Sequence, residues 1–556
     1  MLRRTIIIAA LLLAGQVPAS SSASAQNNPT PYSLPFKLPP GPDTWLIGQE
    51  FGNTGSAYNF GRYWYGAGEG LHFGLDFATP CKTPVVAIAD GIVDNVDNFE
   101  YGLTPHNVAI FHPSTGYVSL YGHLYARSAL LKGQTVKRGE LVGYSGDPDL
   151  TCVSRPHLHL EIRSHNYLVA YPPARFIDAD WPLLSSIGYY SFGGFVKDLY
   201  DPRAWQTISD QPSVKFAGKT LNSFRTAWPP LARVSPSPLT LPEFRASAIA
   251  KATLTRLTEP GCCSLPWWSA DSGSVRYLDS PSGQLAKVIS VGLDGRLPEK
   301  IADAPPGLPS ADGKYEVLWQ NNSAAVTRLA DDVTWTMTTG AWPTISPGSM
   351  WLLWQYSSAD NVPNYAPPSS EVWIARLDGT EPTLLLQKQA GSVYWLDDNR
   401  ILLVTRENKT NIYDLDIFTI STKTTEPLLK VENLRNLSVA PGGHSLMYYA
   451  PFQDIPSTSG IYRVDTTSGA KPTRMPFFGT WRWRDSTSVI YIPFTPGLSM
   501  SLVLYDFARQ QSRPLTDPSV QPFEIANDDW EVAPDGHAVV FWNATDYALW
   551  LTTLVP

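Results

Sequence analysis

Short apolar runs separated by Gly and Pro dominate the chain after its first forty or so residues. Between Trp45 and Leu184 each run has the length and the β-branched or aromatic content of a strand. The clearest runs read VVAIADGIV, NVAIFH, GYVSLYGHL, LVGYSG and HLHLEIR. This pattern predicts an antiparallel β domain in the N-terminal part of the chain.

The run HLHLEIR places polar residues at every second position. Successive side chains of a strand point to opposite faces, so His157, His159 and Glu161 are predicted to share one face. The other face carries apolar side chains only, namely Leu158, Leu160 and Ile162. The polar face of this strand is therefore either solvated or functional.

A different pattern, a small-residue turn with Asp or Gly followed by a β run, recurs through the C-terminal part. The spacing of 36 to 50 residues matches one four-stranded propeller blade per unit. Seven turns predict about seven blades, with six or eight as alternatives and an array of β-sandwiches as another architecture. The turns begin at Ser269, Ser310, Ser346, Leu396, Ala440, Arg484 and Ala533.

The first residues have the three parts of an export signal. Arg3 and Arg4 precede an apolar stretch, and small residues lead to an expected cleavage after Ala25. An uncleaved signal anchor is the alternative. No later segment reaches about 18 apolar residues, so we expect no membrane span in the mature chain. The protein is expected to be exported, and to be secreted, periplasmic or cell-wall associated in a bacterium.

Charge and cysteine content narrow the classes of partner and compartment. The net charge is -8, and no Lys or Arg cluster follows the first residues, so we expect no nucleic-acid partner. Export permits disulfides, and a bridge between Cys81 and Cys152 would join the two segments that carry the chemistry described next. Free buried thiols are the alternative for that pair. The pairing of the neighbours Cys262 and Cys263 is left open.

Seven of the nine histidines fall between His72 and His165. In GLHFGLDF, His72 and Asp76 are four residues apart, and the two glycines and the following Pro80 favour an extended segment in which both face the same way. One histidine of the HLH strand would add a third ligand. Three N or O ligands leave a fourth tetrahedral position open, which is typical of a catalytic zinc site.

The motifs HFGLD, YGHL and HLH, in this order, resemble those of the lysostaphin/LytM-type zinc metallopeptidases, which cut peptide cross-links in bacterial cell walls. The resemblance covers roughly residues 45–180. It implies one zinc ion on His72, Asp76 and His159, with His123 and His157 beside it as acid/base or transition-state-stabilising groups. Which of His123 and His157 is the base stays open.

One segment departs from the family pattern. DPDLTCVSRPHLH is longer than the short turn that family members often have, and it contains a cysteine, so the rim of the cleft is expected to differ. Glu161 could act as a base, although we favour a role in which it orients a ligand or ends the strand.

The resemblance implies an exported zinc metalloendopeptidase that hydrolyses peptide bonds of peptidoglycan cross-links. The C-terminal repeats resemble TolB-type and WD-repeat-like propellers, for which a protein or a glycan is the expected partner. Two alternatives remain: a catalytically silent LytM-like regulator, and a binding or scaffold protein whose propeller is the working part.

The predicted fold class is all-β, with an antiparallel β peptidase domain followed by a propeller of about seven blades. The predicted segments are a signal peptide (1–25), a proline-rich leader (26–44), a LytM-type zinc peptidase domain (45–185), a connector (186–250) and the β-propeller (251–556).

Overall fold

A computed structural model describes residues 31–187, 195, 202–222, 253–263, 266–280, 286–293, 297–303, 307–357, 369–389, 391–407 and 410–554. The predicted signal peptide lies outside these residues, as do residues 188–194, 196–201 and 223–250 of the predicted connector. The described residues of both predicted domains are almost entirely β structure.

The N-terminal domain is built on a nine-stranded antiparallel sheet. Its strands follow the order β1-β2-β9-β6-β5-β4-β7, β10 pairs with both β9 and β11, and β3 and β8 form a separate pair. The strands are β1 Leu46–Gln49, β2 Leu75–Ala78, β3 Pro84–Val86, β4 Gly91–Val96, β5 Val108–His112, β6 Tyr117–Gly122, β7 Thr135–Val136, β8 Leu141–Tyr144, β9 His157–Ser164, β10 Val169–Tyr171 and β11 Val214–Lys215.

The HLHLEIR run forms β9, which lies between β2 and β6. Its apolar face is fully buried in the main core of the domain, together with side chains of β2 and β5, and the members of that face are Leu158, Leu160 and Ile162. The period-two interpretation of this run is confirmed. Two positions lie outside the predicted domain limits, since Tyr32 enters the same core and Val214 pairs with Ala170 of β10.

Two short helices accompany the N-terminal sheet, α1 at Gly55–Phe60 and α2 at Trp181–Ser185. Thr54 caps α1 by accepting the amide of Ala57 at 3.1 Å, and Asp180 caps α2 by accepting the amide of Leu183. Among the residues that the structure describes, no helix has the length and the apolar character needed to cross a membrane.

Seven four-stranded antiparallel sheets, called blades 1 to 7, make up the C-terminal part of the described chain. Blade 1 contains β13 Trp267–Trp268, β14 Ser274–Asp279, β15 Lys287–Gly292 and β16 Glu299–Asp303. Blade 2 contains β17 Leu308–Pro309, β18 Tyr315–Gln320, β19 Ser323–Arg328 and β20 Val333–Thr338. Blade 3 contains β21 Thr344–Ile345, β22 Trp351–Ser357, β23 Ser369–Arg376 and β24 Thr383–Gln389.

The remaining blades continue the series in chain order. Blade 4 contains β25 Ser392–Trp395, β26 Arg400–Arg406, β27 Ile412–Thr419 and β28 Thr424–Glu432. Blade 5 contains β29 Arg435–Val439, β30 Ser445–Ala450, β31 Gly460–Asp465 and β32 Thr473–Arg474. Blade 6 contains β33 Gly479–Asp485, β34 Ser488–Pro493, β35 Val503–Asp506 and β36 Gln511–Pro514. Blade 7 contains β37 Ile525–Val532, β38 Ala538–Asn543, β39 Leu549–Thr553 and, from the other end of the chain, β12 Leu254–Arg256.

Blade 7 closes the propeller with strands from both ends of this part of the chain. Leu254 pairs with Thr552 and Arg256 with Trp550, in an antiparallel ladder. This pairing covers the outer edge of β39, which would otherwise expose unpaired backbone groups. The predicted all-β class with a propeller of seven blades is confirmed.

Each predicted turn lies between the first and second strands of its blade. In blade 2, the Ser310 hydroxyl accepts the amide of Tyr315 at 3.0 Å, and Asp312 accepts the amide of Lys314 at 3.1 Å. Side chains of this kind satisfy turn amides that the ladder leaves unpaired, so Ser and Asp recur at these positions for a structural reason.

The two domains share hydrophobic cores. Leu183 of α2 packs in a cluster that otherwise consists of blade 6 and blade 7 residues. Leu46 and Ile187 pack with side chains of blades 5 and 6. Phe494, directly after β34, contacts the core of the N-terminal domain as well as both of these clusters. The peptidase-like sheet and blades 5 to 7 are therefore joined by buried apolar contacts.

All four cysteines are paired, Cys81 with Cys152 and Cys262 with Cys263. The predicted Cys81–Cys152 bridge is thus present, and it joins residues separated by 71 positions. The bridge ties the segment after β2 to the loop before β9, which are the two segments that carry the candidate site.

Replacing both Cys81 and Cys152 by Ser is expected to lower the free energy of unfolding of the N-terminal domain by about 2–5 kcal/mol, because the unfolded chain gains the entropy of an open loop. Thermal unfolding followed by circular dichroism measures the change. The matched control replaces Cys262 and Cys263, which close almost no loop and should give a much smaller shift. Equal shifts for the two double variants would contradict the loop-closure explanation.

Candidate metal centre and active site

Three side chains predicted as metal ligands converge at one point of the N-terminal sheet. In the described residues, one nitrogen or oxygen atom from each of His72, Asp76 and His159 lies within 4.8 Å of the others. Asp76 and His159 are direct cross-strand partners on β2 and β9. His72 precedes β2, and its backbone forms an antiparallel bridge with Gly52, which follows β1.

Hydrogen bonds determine which ring nitrogen of each histidine faces the centre. The Nδ1–H of His72 donates to the carbonyl of Glu50 at 2.7 Å, and the Nε2–H of His159 donates to Glu161 at 3.1 Å. The inward-facing atoms are therefore His72 Nε2, His159 Nδ1 and Asp76 Oδ1. Fixing the tautomer of a histidine by an outer partner is typical of metal ligands.

Two of the three distances between these atoms fit a tetrahedral zinc site, and the third, between His159 Nδ1 and Asp76 Oδ1, is the length of a direct hydrogen bond. Nε2 of His72 is 3.3 Å from Nδ1 of His159 and 3.4 Å from Oδ1 of Asp76, and the last two atoms are 2.7 Å apart. Zinc bonds of about 2.0–2.2 Å place tetrahedral ligand atoms about 3.3–3.5 Å apart. A donor set of two imidazoles and one carboxylate suits zinc and leaves a coordination position for substrate or water.

Gly74 makes room for this centre. A Cβ atom at this position would lie 2.3 Å from Nε2 of His159, far inside van der Waals contact. The Gly in HFGLD is therefore required by close packing of backbone against imidazole.

The charges of the centre are strongly coupled. Burial opposes ionisation of Asp76, but the nearby imidazoles of His72, His157 and His159 outweigh it and hold the pKa of Asp76 well below its usual value. Burial also opposes the charged form of His159, yet its hydrogen bonds to Asp76 and Glu161 raise the pKa of His159 to about 9. Without metal, a proton on His159 therefore compensates two buried carboxylates.

Glu161 extends the centre away from the cleft. Its side chain is fully buried, and besides His159 it accepts a hydrogen bond from Arg163. The Arg163 guanidinium lies 4.1 Å from the ring centroid of Phe216 and 5.4 Å from that of Tyr101. Burial opposes ionisation of Glu161, but the Arg163 charge and His159 keep its pKa below the usual value. Glu161 is thus buried between His159 and Arg163, where it supports the ligand His159.

His123 and His157 lie beside the three-residue cluster. Their ring centroids are 4.8 Å apart, and Nε2 of His157 is 3.8 Å from Oδ2 of Asp76. His123 Nδ1 donates to the carbonyl of Thr104, and His157 Nδ1 donates to the carbonyl of Arg155 at 2.7 Å. Each ring consequently keeps Nε2 for chemistry.

Burial lowers the pKa of both histidines. Desolvation is the main cause for His123, and its pKa lies well below the usual value because His157 and His159 add like-charge repulsion. For His157 the lowering by burial exceeds the raising effect of Asp76. Both imidazoles are therefore neutral near pH 7, with an Nε2 lone pair that can accept a proton.

His123 has a backbone conformation that L residues rarely adopt. Its φ is 57°, in the left-handed region. The carbonyl of His123 accepts the amide of Gly146 at 2.8 Å, which helps to hold this conformation, while the contact to Thr104 orients the side chain. Strained backbone of this kind concentrates at functional sites.

Tyr121 and the other three histidines of this part of the chain make structural contacts. Tyr121 is buried, and its hydroxyl accepts the amide of Ile88 at 2.9 Å. His112 is held by the Asp90 carbonyl and by Ser119, and His106 contacts Asp97 at 3.0 Å. His165 is exposed, and its ring stacks against Phe111.

The sequence of residues 70–170 matches Peptidase family M23. The chain is 35% identical over 125 residues to the peptidoglycan DD-endopeptidase ShyA of Vibrio cholerae, a match that covers 22% of this chain and 26% of ShyA. It is 27% identical over 187 residues to lysostaphin of Staphylococcus staphylolyticus, covering 33% of this chain and 37% of lysostaphin. This chain thus spans less than half of the length of either relative.

Among solved structures, an oligogalacturonate lyase in complex with manganese aligns with a TM-score of 0.43 and 12% identity, covering 57% of this chain and 96% of that chain. The assignment of the propeller rests on the seven sheets and their closure. The resemblance inferred from HFGLD, YGHL and HLH is confirmed for residues 70–170, which are an M23 peptidase domain.

Replacing Glu161 by Gln is expected to weaken zinc binding by about 10- to 100-fold, because the amide no longer supplies the negative charge that polarises His159. Competition with a chromophoric chelator measures the zinc dissociation constant. Glu100→Gln, at an exposed position of the same domain, is the matched control. Unchanged affinity in a folded Glu161→Gln protein would contradict the supporting role of Glu161.

Zinc binding at pH 7.5 is expected to release about one proton, because His159, with a pKa of about 9 in the metal-free protein, must lose its Nδ1 proton to offer a lone pair. Below pH 9, apparent affinity should therefore rise with pH. Calorimetric titrations in two buffers with different ionisation enthalpies give the number of protons released. A value near zero would show that the free site is not protonated.

Proposed function

We propose that this chain, whose residues 70–170 are an M23 peptidase domain, is an exported zinc metalloendopeptidase that hydrolyses peptide bonds of peptidoglycan cross-links. The decisive observation is the complete site: three ligand atoms that converge, and two neutral imidazoles beside them with Nε2 unblocked. The relatives named for peptidoglycan endopeptidase activity support the substrate class.

His72, Asp76 and His159 would hold one zinc ion. When bound, zinc supplies Lewis-acid chemistry that polarises the scissile carbonyl and activates water. Glu50, through its carbonyl, and Glu161, through its carboxylate, keep the two histidine ligands in the required tautomers. The complete ligand set argues against a catalytically silent regulator.

His123 and His157 would carry the proton transfers. A neutral imidazole can take a proton from the attacking water and return it to the amine that leaves when the peptide bond breaks. In its protonated form the second imidazole carries a hydrogen on Nε2, and this Nε2–H can donate to the carbonyl oxygen as negative charge develops there. Their Nδ1 atoms are occupied by the Thr104 and Arg155 carbonyls, so both roles fall to Nε2.

Two features of the N-terminal region support export. The first 25 residues have the composition of a signal peptide, and the Cys81–Cys152 disulfide suits an oxidising compartment. The propeller, in this proposal, binds a partner or a neighbouring part of the substrate, with a protein or a glycan as its ligand.

Single substitutions separate the metal ligands from the proton-transfer groups. His159→Ala should lose most zinc, since two protein ligands remain. His157→Ala and His123→Ala should retain zinc but lose on the order of 100-fold or more in turnover. Zinc content by mass spectrometry and release of new amino termini from purified peptidoglycan are measured for each folded variant.

His165→Ala is the matched control for this series, because His165 is exposed and stacks on Phe111 just after the end of β9. It should retain both zinc and activity. Equal zinc loss in the His157 and His159 variants would refute the division of roles. Absence of peptidoglycan cleavage by the zinc-loaded wild-type chain would refute the proposed substrate.

A further inference from the structure

A ten-residue loop, residues 147–156, leads from β8 to His157 at the start of β9, and we call it the rim loop. It contains the segment that departs from the M23 pattern. Asp147 is buried and accepts hydrogen bonds from the amides of Asp149 and Ser154 and from the hydroxyls of Thr151 and Ser154. These bonds hold the inner part of the loop in shape.

The end of the rim loop determines the orientation of His157. The carbonyl of Arg155 accepts the Nδ1–H of His157 at 2.7 Å, and the amide of His157 donates to Gly146 at 3.0 Å. The imidazole can keep Nε2 near Asp76 only while the Arg155 carbonyl stays in this position. A shift of the rim loop would therefore move a proposed proton-transfer group.

The propeller contacts the rim loop one residue before this carbonyl. Nη2 of Arg406, at the end of β26 in blade 4, donates to the carbonyl of Ser154 at 2.7 Å. Nε of Arg406 donates to Thr410 in its own hairpin at 2.6 Å. Because the guanidinium is planar and its Nε is held by blade 4, the position of Nη2 relative to the loop is restricted.

Arg406 binds a backbone carbonyl of the loop and not a side chain. The contact therefore depends on where the loop lies and not on which residue occupies position 154. A charge-assisted hydrogen bond of this length is stronger than one between neutral groups. The disulfide and Asp147 fix the loop within its own domain, whereas Arg406 links Ser154 of the loop to the propeller. Leu150 and Val153, by contrast, are exposed on the outer side of the loop.

We propose that Arg406 is a positioning residue of the peptidase site: blade 4 holds Ser154, and through the adjoining carbonyl of Arg155 it sets the orientation of His157. The inference rests on the proposed function of His157. It gives the propeller a role in turnover in addition to any role in binding a partner.

The test uses the full chain with Arg406→Ala, Arg406→Lys and the control Arg328→Ala. Arg328 is a half-buried arginine of blade 2 whose side chain pairs with Asp331 and lies over Trp335, both in its own blade. Soluble peptidoglycan fragments give kcat and KM. We expect Arg406→Ala to lower kcat about tenfold with KM little changed, because a small misplacement of a reacting group slows the step that it serves.

Arg406→Lys keeps one donor and should recover part of kcat, and Arg328→Ala should match the wild type. Zinc content and the thermal midpoint should be unchanged in all three variants. An unchanged kcat in Arg406→Ala, or an equal loss in Arg328→Ala, would overturn the proposal. A change in KM alone would also overturn it, because Arg406 would then act in substrate binding.

A second readout does not depend on turnover. In protein labelled with ¹⁵N-histidine, the hydrogen-bonded Nδ1–H of His157, assigned with the His157→Ala variant, reports its bond to Arg155. Arg406→Ala should shift or broaden this signal, and Arg328→Ala should leave it unchanged. If the wild-type chain fails to cut peptidoglycan, the proposed function fails, but this signal still decides whether the propeller positions His157.

Discussion

The register of β2 against β9 is the constraint on which the site depends. It sets Asp76 opposite His159, and the neighbouring ladder sets Gly122 of β6 opposite the same residue. A slip by one residue would send each site side chain of β9 to the opposite face. Because the opposite face is buried and fully apolar, such a slip is strongly unfavourable, and hydrophobic packing fixes where Asp76 and His159 meet.

The polar face of β9 is buried as well, and it is stable only because its charges are paired. Asp76 contacts His159, His159 contacts Glu161, and Glu161 contacts Arg163. Removing one member would leave a buried charge without compensation, which costs far more than the pair itself contributes. The same pairing turns Nδ1 of His159 toward Asp76, so one set of contacts both compensates the charges and orients the ligand atom.

Much of this was predictable from the sequence because the signals are local. The alternation of polar and apolar residues in HLHLEIR predicted the two faces of β9. The recurring turns with Ser, Asp and Gly predicted the propeller blades. The partners that orient the site were not predictable, since three of them are backbone carbonyls, at Glu50, Thr104 and Arg155, and any residue type supplies a carbonyl. The ligand-orienting role favoured for Glu161 agrees with its contact to His159. The packing of Phe216 on Arg163 was not predicted, because Phe216 lies in the segment predicted as a connector.

The shared cores explain how one arginine can connect distant parts of the chain. Arg406 and Ser154 are 252 residues apart, and a hydrogen bond between domains on a flexible tether would not persist. Here Leu46, Leu183 and Phe494 bury apolar surface between the peptidase domain and blades 5 to 7, which limits relative motion. Because these hydrophobic contacts hold the two domains together, Arg406 of blade 4 can keep its hydrogen bond to the Ser154 carbonyl beside the active site.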